Sequence, residues 1–98
     1  MTKAHAMSDS PVPPGRILEQ ELKARGMTQT ELAKRAGRPL QVINEIVRGK
    51  KVITPKTALD FEKVLGVPAE FWTSLEAIYQ LSLARNSQMQ GSDFPPAR

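Results

Sequence analysis

Apolar residues recur at helical spacing through the interior of the chain and divide it into five short segments. The first segment, residues 15–25, places Ile17, Leu18 and Leu22 on one face. Sustained alternation of apolar and polar positions with β-branched residues, which would indicate strands, is missing from the sequence. The pattern therefore predicts an all-α domain of five helices.

The second and third helices have clear start and stop residues. The Thr28 hydroxyl is placed to accept from the Glu31 amide, and the Glu31 side chain to reach back to Thr28, as in a capping box. Gly37 ends the second helix. Pro39 suits the first turn of the third helix, where a missing amide costs nothing. We therefore expect two short helices across one tight turn.

The fourth and fifth helices follow a basic connector. Thr54 and Pro55 form a cap-and-proline start for a helix through Leu65. The last helix opens around Glu70 and is expected to reach Arg85. Outside this domain, residues 14–85, the sequence predicts a flexible arm at 1–13 and a disordered tail at 86–98.

The turn between the second and third helices has the steric pattern of a helix-turn-helix. Gly37 can adopt the positive φ that such a turn requires, and Ala33 is small enough for close packing before it. An ordinary helical hairpin has the same packing, so the motif needs a second observation. The positions that match are Leu32, Ala33, Ala36, Gly37, Ile43 and Ile46.

The distribution of charge along the chain is the second observation that favours a DNA-binding motif. The 98-residue chain has a net charge of +4, and residues 27–53 alone hold six basic against two acidic side chains. A local basic block is the electrostatic footprint of a polyanionic partner, although many basic clusters are only solvated surface. Its coincidence with the helix-turn-helix predicts a DNA-binding protein whose reading segment is residues 39–48.

Helical periodicity divides this reading helix into two faces. Ile43, Ile46 and Val47 form an inner stripe. The outer side chains near the N-terminal half are the ones that a recognition helix presents to base edges. The predicted base-reading residues are Leu40, Gln41, Asn44 and Glu45.

Each of these four side chains has a chemical reason to be there. Gln41 and Asn44 can make bidentate contacts to adenine, and Leu40 can touch a thymine methyl group. Glu45 can accept from cytosine or orient a neighbour. Alternatively, Glu45 has no role in base reading and is either a solvated acid or the partner of Arg48 in a salt bridge.

Phosphate contacts are expected around the reading helix. Gln29 would meet a phosphate with its side chain and the helix N-terminal amides. The helix start at residues 54–56 would contribute backbone amides in the same way. The predicted phosphate-binding residues are Thr28, Gln29, Arg38, Lys50, Lys51, Thr54 and Lys56.

The last helix carries an apolar stripe wider than a small domain needs for its own core. One edge is expected to pack in the domain and the other against a second copy, since reading helices about 34 Å apart match successive major grooves. Alternatively, Trp72 and Tyr79 belong to the monomer core or pack the tail. The predicted dimerisation residues are Phe71, Trp72, Leu75, Ile78, Tyr79 and Leu83.

Several segments resemble a known family. PGRIL from position 14 and TQTELA from position 28 resemble the Xre-type, lambda-repressor-like regulators. INEIVRGKK from position 43 and LGVPAEFW from position 65 look like the narrower HigA antitoxin branch, also called VapI-like. The resemblance spans about residues 14–85.

The resemblance implies a dimeric antitoxin of a type II toxin–antitoxin module. Such a protein neutralises a RelE/HigB-like mRNA-cleaving toxin and represses its own operon through a palindromic operator. The chain departs from the family pattern at Arg38, where relatives are usually apolar, and at Leu40 and Val42, where they are usually polar or basic.

Other functions are less well supported. The chain has no cysteine, and its one histidine, His5, lies in the predicted arm, so we expect no enzyme, no cofactor and no metal site. The sequence has no membrane-length apolar run or signal peptide, which favours a cytoplasmic protein. The alternatives are a stand-alone or phage-type repressor without a toxin, and a protein-sequestering scaffold with weak DNA binding.

Overall fold

The structure, a computed structural model, describes residues 11–90, without the side chains of residues 89 and 90. Residues 11–90 contain no strand, and the predicted all-α, five-helix fold is confirmed. The predicted flexible arm and disordered tail lie outside the described residues, except at 11–13 and 86–90. The helices are α1 (Pro14–Arg25), α2 (Gln29–Ala36), α3 (Leu40–Val47), α4 (Pro55–Leu65) and α5 (Ala69–Gln90).

Three helix boundaries differ from the sequence prediction. α1 begins one residue early because Pro14 occupies its first position, where proline needs no hydrogen-bond partner. Pro39 is the N-cap of α3, with φ −62° and ψ 143°, and therefore precedes the first turn instead of belonging to it. α5 continues past Arg85 to Gln90, so the segment predicted as a tail begins in helix.

The capping interactions agree with the prediction only in part. The Thr28 hydroxyl accepts from the Glu31 amide at 3.0 Å, as expected. The Glu31 carboxylate, however, accepts from Arg35 at 2.9 Å instead of reaching back to Thr28. The Arg35 guanidinium lies one turn later and carries a positive charge. It therefore binds the Glu31 carboxylate more strongly than the neutral backbone amide of Thr28 would.

The core is a small cluster to which every helix contributes. α2 and α3 pack against each other, α1 packs on α3, and α4 packs on α2 and α5. Phe61 and Trp72 meet edge to face with ring centroids 5.5 Å apart, a favourable aromatic geometry. The largest fully buried side chains are Trp72, Phe61, Leu18, Leu32, Ile43 and Ile46.

The start of α1 approaches the backbone of α3 very closely. A Cβ at Gly15 would lie 1.9 Å from the carbonyl oxygen of Ile46. Only glycine leaves room for this approach. Gly15 therefore sets how deeply α3 sits on α1, and with it the position of the outer face of α3.

Candidate nucleic-acid interface

The turn between α2 and α3 has the geometry that its sequence predicts. Gly37 has φ 68°, the left-handed conformation that glycine adopts without strain. The amide of Arg38 then donates to the carbonyl oxygen of Ala33 at 3.0 Å and closes the turn. Because Ile43 and Ile46 are buried, the opposite face of α3 points to solvent.

All four predicted base-reading residues lie on that outer face. Leu40 and Gln41 are exposed, and Asn44 and Glu45 are half-buried. The amide of Gln41 donates to Glu45 at 3.2 Å, and the Lys51 ammonium lies 4.0 Å from the other Glu45 oxygen. Glu45 therefore orients Gln41 and forms a long, partly exposed ion pair with Lys51 instead of the alternative pair with Arg48.

Asn44 is joined to α2 by a bond between two predicted site residues. Its Nδ2 donates to Oε1 of Gln29 at 3.1 Å, and both side chains are half-buried. The bond leaves Oδ1 and one N–H of Asn44 for another partner, the acceptor and donor that adenine requires. Nothing in the sequence pattern indicated this contact.

Most of the predicted phosphate-binding residues are exposed. Thr28 and Thr54 cap α2 and α4 with their hydroxyls, and each helix start keeps further backbone amides free of intrahelical partners. Lys50 and Lys51 project from the connector between α3 and α4, residues 48–54, and Lys56 projects from the first turn of α4. The exposed members are Thr28, Lys50, Lys51, Thr54 and Lys56.

Arg38 does not fit the predicted phosphate set. Its Nε donates to Oδ2 of Asp60 at 2.6 Å, and the two side chains are only 24% and 23% exposed. The guanidinium therefore joins the helix-turn-helix turn to α4. Asp60 could not be predicted from local sequence patterns because its partner is 22 positions away.

The apolar stripe on α5 divides differently from the prediction. Trp72 is 0% exposed within the single chain, so its assignment to a dimer surface is corrected: it is a core residue. Leu75 and Tyr79 are half-buried. Among the described side chains of α5, the large apolar residues that are exposed are Phe71, Ile78, Leu81 and Leu83, of which Leu81 was not predicted.

Metal-binding clusters and membrane-spanning helices are both absent from the described part of the chain. Residues 11–90 contain no group of three metal-ligating side chains. Over the same range, α5 and the shorter helices lack the apolar length needed to cross a membrane.

Comparison with known proteins identifies the family. A helix-turn-helix family model matches residues 18–72, more than half of the chain. Virulence-associated protein I of Dichelobacter nodosus is 37% identical over 76 residues, which cover 76% of this chain and 70% of that protein.

Two solved structures resemble the whole domain. An addiction module antidote protein of the HigA family from Coxiella burnetii is 31% identical, with a TM-score of 0.76 over 90% of this chain and 98% of that one. The antitoxin HigA of Pseudomonas aeruginosa, solved with the higBA promoter, is 25% identical, with a TM-score of 0.79 over 91% and 100%. The chain therefore belongs to the Xre-type helix-turn-helix family, in its HigA-like (VapI-like) antitoxin branch, a family of DNA-binding regulators and not of enzymes.

Proposed function

We propose that the chain is the antitoxin of a type II toxin–antitoxin module. It binds a palindromic operator as a homodimer, represses its own operon and neutralises a RelE/HigB-like mRNA-cleaving toxin. The observation that carries the proposal is the outer face of α3, with its oriented amides beside exposed lysines. The HigA of Pseudomonas aeruginosa, similar over nearly the whole chain, was solved with promoter DNA.

Sequence reading is assigned to the N-terminal half of α3. Gln41 and Asn44 are each held by a second side chain, Glu45 and Gln29, at 3.2 and 3.1 Å. An amide that is already oriented loses less side-chain entropy when it meets a base. Leu40 adds an exposed apolar side chain for a thymine methyl group.

Affinity is assigned to the residues around α3. Lys50, Lys51 and Lys56 are exposed, and each can neutralise one phosphate and release its counterions. Gln29 and the first amides of α2 and α4 fix the register on the backbone. Arg38 is left out of this set because Asp60 already holds it.

Dimerisation is assigned to the outer face of α5. Phe71 is 41% and Ile78 62% exposed, and their spacing of seven residues puts them on one side of the helix. Exposed apolar side chains that share a face mark an interaction surface. A second copy fits it, because one reading helix contacts too few bases for selective binding.

Toxin neutralisation is supported by the family alone. The similarity to HigA-type antidote proteins extends over 90% of the chain, past the DNA-binding helices and into α5. We therefore propose a RelE/HigB-like toxin as the protein partner.

A gel-shift titration of the chain against the DNA upstream of its own gene tests the proposal. The experiment is repeated with the product of the adjacent gene. We expect one specific complex at a palindromic site and a changed shift when the neighbouring protein is added. Specific binding without any neighbouring toxin gene would favour a stand-alone repressor, whereas toxin binding without DNA binding would favour a sequestering scaffold.

A further inference from the structure

The connector between α3 and α4, residues 48–54, carries exposed lysines but no regular structure. At its start, the amide of Lys50 donates to the carbonyl oxygen of Glu45 at 2.8 Å. At its end, the side chain of Ile53 is 3% exposed and belongs to the core. Lys51 and Val52 lie between these two anchors and are exposed.

Packing against the domain holds this connector only in part. A cavity of about 70 Å³ lies between it and the rest of the domain. Its walls include connector residues, the start of α1, and Glu76, Tyr79 and Gln80 of α5. The cavity is partly open to solvent, so the atoms that line it have fewer van der Waals partners in the protein on that side. Besides the buried side chain of Ile53, hydrogen bonds therefore help to position the connector.

Glu76 makes such a bond. Its Oε1 accepts from the backbone amide of Ile53 at 2.8 Å, a contact between residues 23 positions apart. Its Oε2 accepts from the exposed side chain of Gln80 at 2.8 Å, so this second bond leaves Oε1 to Ile53. A carboxylate that accepts from a backbone amide makes a stronger bond than a neutral acceptor does.

We infer that Glu76 is a positioning residue for DNA phosphate binding: from α5, it holds the connector where Lys50 and Lys51 meet the DNA backbone. The inference rests on the proposed DNA binding and extends it to a residue outside the proposed DNA contacts. Glu76 lies on α5, so the residue that supports the phosphate contacts belongs to the helix with the proposed dimer surface.

The salt dependence of DNA binding separates this role from a merely structural one. The slope of log K against log salt concentration counts the phosphates that are neutralised, about 0.9 per contact on duplex DNA. A variant that is only less stable, but folded, keeps the same slope. A variant whose connector has moved loses phosphate contacts on every DNA sequence.

The test measures this slope on operator DNA and on a random duplex for the wild type, Glu76→Ala, Glu76→Gln and Gln80→Ala. Each variant is first shown to be folded by urea unfolding. We expect Glu76→Ala to lower the slope by about one to two on both DNAs, which corresponds to the loss of one or two phosphate contacts. Glu76→Gln keeps an oxygen acceptor for Ile53 and should retain the wild-type slope, as should Gln80→Ala.

Glu76→Asp keeps the charge, but its side chain is one methylene shorter. It tests the positioning role if Glu76→Ala does not fold. We expect it to lower the slope as well. A wild-type slope in folded Glu76→Ala or in Glu76→Asp would overturn the inference alone, as would a slope for Glu76→Gln as low as that of Glu76→Ala. A wild-type chain that binds neither DNA would overturn the proposed function itself.

Discussion

The short helix α3 and the long helix α5 present surfaces of different chemical character to solvent. α3 has eight residues and an outer face whose amides are held by other side chains of the same molecule. α5 has 22 residues, and apolar side chains such as Ile78 stand exposed on it. Polar groups already oriented suit a ligand with a fixed pattern of donors and acceptors. Exposed apolar groups suit a second protein surface, because their burial is what drives association.

The two helices are also anchored differently. α3 is held from several sides: Gly15 brings α1 against its backbone, Arg38 and Asp60 join its preceding turn to α4, and Ile46 is buried. α5 is anchored mainly through its first half, where Trp72 is fully buried. Beyond residue 80 most of its described side chains are exposed. The proposed reading role of α3 requires accurate placement, whereas the proposed dimerisation role of α5 allows that helix to project from the domain.

The largest expected effect tests the inner side of α5. Trp72→Ala should lower the free energy of unfolding by about 3–5 kcal/mol, because it empties a large core volume. Ile78→Ala on the same helix is the matched control and should change it by less than about 0.5 kcal/mol in dilute, monomeric protein. Urea unfolding measures both. Equal losses would mean that the two sides of α5 are not distinct.

The outer side of α5 is tested by adding a charge to it. Ile78→Asp should weaken the proposed homodimer by about 2–3 kcal/mol, because a buried isoleucine contributes about that much. Ala77→Asp adds the same charge to an exposed neighbour that points about 100° away, and it should have little effect. Sedimentation equilibrium measures both dissociation constants. Equal weakening by the two variants would place the dimer surface elsewhere.

Gln41 tests the outer face of α3. Gln41→Ala should weaken operator binding by about 1–3 kcal/mol, because it removes the proposed bidentate contact to one base. Binding to random DNA should stay nearly the same, since phosphate contacts are untouched. Fluorescence titration against both duplexes makes the comparison. A loss of similar size on random DNA would argue against base reading by Gln41.

The smallest expected change in DNA binding separates the two kinds of basic residue near α3. Lys50→Ala should reduce the salt slope of DNA binding by about one on all sequences. Arg38→Ala should leave the slope unchanged but lower the free energy of unfolding by about 1–3 kcal/mol, because it leaves the Asp60 carboxylate unpaired. A reduced slope for Arg38→Ala would restore Arg38 to the phosphate contacts.

Much of the fold could be read from short-range patterns. The glycine after α2, the Thr28 cap and the Ile43–Ile46 spacing each depend on residues within one or two turns, and the structure confirms all three. The outer face of α3 follows from the same periodicity. These features are local because backbone geometry repeats every few residues.

The sequence by itself thus determined the helices, the turn and the face that α3 presents. Only the tertiary structure decided the partners of its polar groups: Arg38 with Asp60, Asn44 with Gln29, and Ile53 with Glu76, at separations of 22, 15 and 23 positions. It also decided which side of α5 is core. Periodicity gives the width of an apolar stripe, but the boundary between core and surface depends on where the other helices end.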